Sequence, residues 1–530
     1  MKRFVCWIIG AVVVALATAA SAQSTLRIGM TAADIPYTGG QPDNGFEGFR
    51  FVGYQIYEPL INWDLSKSDK LAALVPGLAE SWEVNKADPK KWTFKLRKNV
   101  KFHDGSPFNA DAVVFTYESV KNKQSPQYDT YGGAQLAWRM AAIKSVRKVD
   151  DSTVEFETHN VSSFVPYQVV YMLIVSPTQW TKVKDWRKFA EQPSGTGPFK
   201  VTKFVPRERL ELEANKEYWD PKRRPKVDKL VLLPMPEPTT RLAALRSGQV
   251  DWIEVPPPDS IAQLKGAGFQ IVTNKYPHNW GHILRLDKEP WNNKLVRKAA
   301  NYAIDRVGIC KNLLNDTCVP GTGVAYKGHP WFGSPKETYE YNPAKAKELL
   351  RQAGFDGTKR PAKAVQLIST SGSGQMLPLP MNELVQKNLK DVGIDVDLQP
   401  IEWNSLTQRF RAGFTGENAG VNAMNISFNF LEPFSGFGRF FHSRSVPPTS
   451  VNIMPFVNPE SDKLLDEAER TFDLPKQDAI LAKLHELIVD EAPWIFVVHD
   501  LNPRAMSAKV KGFVPPQSWF VDLTSVSVSK

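Results

Sequence analysis

The first residues to test are those able to make or break a bond. The chain has eight histidines, and they are scattered. His278 and His282 stand four apart, but no Glu lies between them to serve as the base of a zinc-peptidase motif. No Gly-x-Ser-x-Gly elbow occurs. Gly195-Thr196-Gly197 has the small residues of a phosphate loop, yet it lacks the Lys-Ser/Thr of a Walker motif and runs straight into Pro198. Cys310 and Cys318 have no further thiolate or imidazole partners at zinc-site spacing. Many carboxylates are present, but sequence alone pairs none across a cleft. This pattern predicts a chain that is not an enzyme and carries no metal or other cofactor.

Aromatic residues point elsewhere. Trp280, Trp403, Phe428 and Phe430 fall near expected strand ends or chain crossings, and Tyr54 follows a polar, Gly-rich loop. Each is either core or the wall of a binding pocket; together they suggest a pocket that is mostly apolar with a few orienting polar groups. The stretch Ala423-Met424-Asn425-Ile426-Ser427-Phe428-Asn429-Phe430-Leu431-Glu432-Pro433 supplies such polar groups in Asn429 and Glu432. The expected ligand contacts are therefore Asn429, Phe428, Phe430, Glu432, Trp403, Trp280 and Tyr54.

The elements that must position these residues alternate between two periods. Trp92, Phe94 and Leu96 alternate with Thr93, Lys95 and Arg97, the period of a strand with one apolar face. His103-Asp104-Gly105-Ser106 reads as a turn, and Asn109 as the cap of a helix carrying Val113, Tyr117 and Val120. Tyr54–Leu60 reads as helical, and the apolar run Val169–Val175 as a buried strand or helix segment. Leu242–Arg246 is expected to be a helix ending at Gly248, followed by a strand at Val250–Ile253. Asn342-Pro343, Asn458-Pro459 and Pro475 start further helices. Helix and strand in repeated alternation mean an α/β architecture.

At 530 residues the chain exceeds what one core sustains, so two or three compact units are expected. Lys2 and Arg3 precede an uncharged run from Phe4 to Ala17, and Ala20-Ser21-Ala22 supplies a signal-peptidase site. Residues 1–22 thus read as a cleavable signal peptide, the alternative being an uncleaved anchor, and Cys6 is not placed for lipid attachment. The formal charge of +10 is spread along the chain without a recognition motif, so no nucleic-acid partner is expected. Cys310 and Cys318 survive export, and an even pair in an oxidising compartment favours a disulfide over two buried thiols.

Leu78-Ala79-Glu80-Ser81-Trp82, Trp92-Thr93-Phe94-Lys95-Leu96-Arg97, Val100-Lys101-Phe102-His103-Asp104-Gly105 and Asp111-Ala112-Val113 resemble the signature region of the family-5 solute-binding proteins of ABC importers, the dipeptide, oligopeptide and nickel class. Gly195-Thr196-Gly197-Pro198-Phe199, Tyr218-Trp219 and Ala303-Ile304-Asp305-Arg306 extend the resemblance over residues 25–520. It implies a type II-like periplasmic binding protein fold of two lobes with the ligand cleft between them. Lobe I would comprise 24–55, 192–278 and 499–530, with an extra domain inserted at 56–191; lobe II would be 279–498. It also implies a periplasmic monomer that captures a short peptide or other small solute and delivers it to the permease and ATPase subunits of an inner-membrane importer. An extracytoplasmic chaperone or chemosensory protein is the alternative, and a secreted hydrolase a third. Peptide-binding relatives carry Trp-x-x-Asp before an acidic-Pro pair, the Asp holding the ligand's α-ammonium. Aligned on Glu432-Pro433, Ile426 replaces that Trp and Asn429 that Asp. Either Glu432 or another carboxylate substitutes, or the ligand has no free amino terminus there.

Overall fold

The computed structural model describes residues 23–42, 47–372, 374–447 and 450–529; the expected signal peptide lies outside them. Two large sheets organise the chain. The first has seven strands in the order Gln270–Val272, Arg504–Met506, Trp252–Glu254, Thr25–Met30, Lys229–Pro234, Arg209–Ala214, Phe199–Val205. Its Thr25–Met30 strand runs parallel to both neighbours. The second has six, in the order Cys318–Pro320, Trp494–Asp500, His278–Leu284, Ala423–Asn429, Ala364–Ser369, Val396–Ile401. The chain passes from the first sheet to the second between Val272 and His278, and returns between Asp500 and Arg504.

A four-stranded antiparallel sheet, Ala79–Val84, Lys91–Leu96, Thr153–Thr158 and Ile143–Asp150, lies beside the first. Trp92, Phe94 and Leu96 are buried on one face of its 91–96 strand, as their alternation requires. Its core is continuous with that of the seven-stranded sheet: Leu26, Ile28, Leu230 and Trp252 belong to the same cluster as Trp92, Phe94 and Phe156. The six-stranded sheet has its own core around Trp280, Trp291, Trp494 and Phe496.

Local chemistry sets the helix boundaries. Asn109 Oδ1 accepts from Ala112 N at 3.3 Å and opens Ala110–Lys121. Asn342, Asn458 and Asp473 likewise cap Pro343–Gln352, Pro459–Arg470 and Leu474–Glu491. Gly393 closes Pro378–Val392 with φ of 101°, a left-handed conformation that suits glycine.

Two segments depart from the periodic reading. Tyr54–Leu60 is helical only as far as Ile56, since Tyr57 leaves in an extended conformation with φ of -122° and ψ of 170°. Val165–Val169 is a short helix, and the buried run after it is neither helix nor strand. Its backbone is satisfied from outside: Tyr54 Oη donates to Val170 O at 3.0 Å, Gln41 Nε2 to Leu173 O at 3.0 Å, and Val175 N to Thr116 Oγ1 at 3.2 Å. Cys310 and Cys318 are joined in a disulfide with Cα atoms 5.3 Å apart.

Candidate functional site

The polar residues of greatest interest lie where the two large sheets meet, at one end of three adjacent strands. His278 begins its strand directly opposite Asn429, the last residue of its own. Opposed residues of an antiparallel pair share a face. That face looks toward the first body, since the His278 ring stacks on Trp519 at 5.9 Å and 17°. The Arg50 guanidinium covers the same indole at 4.7 Å.

Behind this stack sits a buried charge cluster. Arg504 Nε donates to Glu254 Oε1 at 3.0 Å, and Arg50 donates to the other oxygen of that carboxylate. Trp252 Nε1 adds a bond to Glu254 Oε1 at 2.7 Å. Burial pushes the Glu254 carboxyl up, but the two guanidiniums outweigh it and hold it below its ordinary value. Tyr276 Oη donates to Asp500 Oδ2 at 2.8 Å. Burial raises Asp500 to about 6 against that hydrogen bond. With Asp500 ionised, the two arginines face two carboxylates.

His278 is held neutral here. Its Nδ1 accepts from the Asp500 backbone N–H at 3.3 Å, so the proton sits on Nε2, which faces the Gly374 backbone. Burial lowers its pKa to about 3. Asn429 is different from all of these. It is 3% exposed, and neither its Oδ1 nor its Nδ2 has a hydrogen-bond partner.

The other expected contacts separate into two groups. Phe428 and Phe430 alternate with Asn429 and therefore project from the opposite face. There Phe428 packs on Phe410, Phe440 and Trp494, and Phe430 on Phe437, Phe440 and Trp494. The structure thus places both in the core, not at a cleft wall. Trp280 is fully buried and donates from Nε1 to Gln375 Oε1 at 3.0 Å. Tyr54 is buried, stacked on Phe520 at 4.7 Å. The oxygens of Glu432 accept from Phe434 N at 2.7 Å and Ser435 N at 2.8 Å, so this carboxylate is committed to its own turn.

Trp403 begins the helix Trp403–Ala412 and remains half-buried. It borders a groove of about 260 Å³ between the two bodies. Asp34, Tyr37, Glu47 and Tyr131 line one side, and Gly372, Glu402 and Asn404 the other. Of the residues expected from the sequence, the structure places Asn429 at the seam between the sheets and Trp403 on this groove. Arg50, Glu254, Tyr276, Arg504 and Trp519 were not legible in the sequence, since nothing in their local spacing reveals a cluster assembled over separations of 204 residues and more.

Other chemistry is thin. Among the described residues, no group of three or more His, Cys, Asp or Glu is arranged to hold a metal ion. His282 is buried against Gln366 and remote in role from His278. No described helix is long and apolar enough to cross a membrane.

The profile of the bacterial extracellular solute-binding proteins, family 5 Middle, matches residues 73–447. The chain belongs to this family. Among its curated relatives are the heme-binding protein A of Haemophilus influenzae, 27% identical over 501 residues (89% of this chain, 87% of the relative), and the dipeptide-binding protein of Escherichia coli, 27% identical over 542 residues (96% and 95%). Solved family folds superpose along nearly the whole length. A periplasmic binding protein from Helicobacter pylori in complex with the peptide STSA gives a TM-score of 0.81 at 23% identity, covering 96% of this chain and 99% of that one. A dipeptide-binding protein from Pseudoalteromonas in complex with Met-Leu gives 0.81 at 22%, covering 95% and 100%. The fold is accordingly the two-lobed periplasmic binding protein fold. Within this family fold, the His103-Asp104 signature ties chain segments together and lines no part of the seam: His103 N donates to Gly195 O at 2.8 Å, and Ser176 Oγ to Asp104 Oδ2 at 2.5 Å.

Proposed function

We propose that this family-5 protein is the periplasmic substrate-binding component of an ABC importer, and that it captures a peptide-like or other small solute between two hinged lobes and performs no chemistry on it. Lobe I is assigned to 24–55, 192–278 and 499–530, its inserted domain to 56–191, and lobe II to 279–498. Residues 1–22 direct export, and the released protein works as a monomer that docks on the permease. Dipeptides, oligopeptides and heme, named for its relatives, set the range of solutes to test.

The observation that carries this reading is the double passage of the chain between the two large sheets, at 272–278 and 500–504. Two connections side by side permit rotation of one body against the other, and residues between them are buried or exposed as the bodies move. Asn429 and Trp403 are the proposed ligand contacts; Trp280, Phe428, Phe430, Glu432 and Tyr54 support them from the core. A thermal-shift screen of the mature chain over di- and tripeptides, opines, sugars, heme and metal chelates tests the proposal. A true ligand at 100 times its Kd adds about 2.7 kcal/mol of stability, and mass spectrometry should recover it unaltered. Chemical turnover of a bound solute, or no shift with any solute, sinks the reading.

A further inference from the structure

The unpartnered amide of Asn429 specifies more than a place. A buried polar group with no hydrogen bond costs on the order of 1–3 kcal/mol, and here both the donor and the acceptor of one side chain stand unmade. The side chain lies on the sheet face shared with His278, against the first body, at the seam where the proposed cleft would close. A group that enters there must offer an acceptor to Nδ2–H and a donor to Oδ1. Interchanging the two amide atoms leaves that requirement unchanged.

The carboxylates of the groove and the seam already have partners: Glu47 accepts from Thr31 N and Oγ1, Glu402 from Ser405 N, and Asp34 from Ile35 N. Glu432 is bonded to two backbone N–H groups of its own turn. Asp500 keeps one oxygen, Oδ1, without a hydrogen-bond partner, but its charge completes the balance of two arginines and two carboxylates with Arg50, Arg504 and Glu254. His278 accepts the Asp500 N–H at Nδ1, which leaves its proton on Nε2, a donor that offers a cation nothing. An ammonium placed against Asn429 would lose its hydration and gain one carbonyl oxygen in return, a poor exchange in a buried site.

We infer that the solute group seated on Asn429 is an uncharged amide, its C=O accepting from Nδ2–H and its N–H donating to Oδ1, so that the protein selects N-acylated peptide-like solutes over those with a free terminal ammonium. The inference rests on the capture reading above and names the substrate class of the same site.

Calorimetric titration of the mature chain with Ala-Leu-Ala and with N-acetyl-Ala-Leu-Ala, at one pH and ionic strength, tests it. The acetylated peptide should bind at least about tenfold tighter, a difference that corresponds to one good hydrogen-bond pair. Asn429→Asp should reverse the preference by giving the ammonium its counter-charge. Asn429→Leu, which folds without needing a partner, should abolish the preference and serves if the aspartate variant does not fold. Equal or tighter binding of the free-amine peptide to the wild type overturns the inference and leaves the capture reading standing. Should neither tripeptide bind, the same comparison is made on the acylated and free-amine forms of whichever solute the screen yields. A solute without an amide that binds wild type and Asn429→Leu alike also overturns it. Failure of every solute removes the capture reading and the inference together.

Discussion

Glu58 and Asn429 are both buried polar residues, 3% exposed each, yet one is saturated and the other has nothing. Glu58 lies beneath the Gly195–Gly197 strap and accepts from Thr196 Oγ1 at 2.9 Å, Tyr218 Oη at 2.5 Å and Trp219 Nε1 at 2.7 Å. The strap fits because residues 195 and 197 are glycines: a Cβ at Gly195 would stand 2.1 Å from Ile56 O, and one at Gly197 2.6 Å from Gln55 O. Asn429 ends a strand at the seam of the two bodies and makes no hydrogen bond. Residues that a family's sequence motif makes conspicuous, the glycine strap and the Tyr-Trp pair, here build the scaffold. The residue that departs from the motif is the one whose amide makes no hydrogen bond. A buried polar group whose bonds are complete stabilises the fold; one whose bonds are missing marks where something else belongs.

That contrast is most severely tested at Glu58. Glu58→Ala should strip three buried donors of their acceptor and cost about 3–5 kcal/mol in urea unfolding of the free protein. A loss below 1 kcal/mol would mean that the knot is not the structural element its bonding suggests. Asp500 should behave in the opposite sense. Burial raises its folded pKa to about 6, from an ordinary 3.8. The folded state therefore holds this proton more tightly than the unfolded chain, so the group's contribution grows more favourable as pH falls from about 6 to 4. Asp500→Asn should then stabilise by about 3 kcal/mol at pH 7.5, and the gain should vanish by pH 4. A pH-independent effect would mean that burial does not hold the Asp500 carboxyl above its ordinary value. Next in size is the Cys310–Cys318 bridge, which closes a short loop at the edge of the six-stranded sheet. The Cys310→Ser, Cys318→Ser double variant should lose roughly 2–3 kcal/mol in the chain-entropy model, measured in the same unfolding experiment. It should leave solute affinity unchanged, since Cys318 pairs with Asp500 across the sheet but the proposed contacts Asn429 and Trp403 lie on other elements.

Much of this scaffold was readable because it is local. Alternation gave the 91–96 strand, and Asn109, Asn342 and Asn458 announced helix starts that the structure caps through those same side chains. The reading failed where distant chain supplies the bonds. Val170–Val175 is buried without regular structure because Tyr54, Gln41 and Thr116 satisfy its backbone, and no window of apolar residues contains that information. Glu58 meets its partners across 138, 160 and 161 residues. At the site, Asn429 stood out through its register with Glu432-Pro433, but Phe428 and Phe430 were drawn in by proximity. Strand alternation sends them to the other face, which composition alone does not reveal. The tautomer of His278 likewise depends on Asp500 N, 222 residues away.

The smallest effect has the opposite sign and bears most directly on the comparison. If Asn429 is kept for a ligand and not for the fold, removing its amide relieves an unmet desolvation cost in the free protein. Asn429→Leu fills the same space with apolar atoms and should raise the stability of the ligand-free chain by about 1–2 kcal/mol in urea unfolding, while its affinity for the solute falls. Glu58→Ala should lose stability and, where it still folds, retain affinity. Stability and binding thus move in opposite directions at one residue and not at the other, which is what separates a binding group from a structural bond. A destabilised Asn429→Leu would mean that the amide has a partner in solution, and the distinction between the two buried residues would disappear.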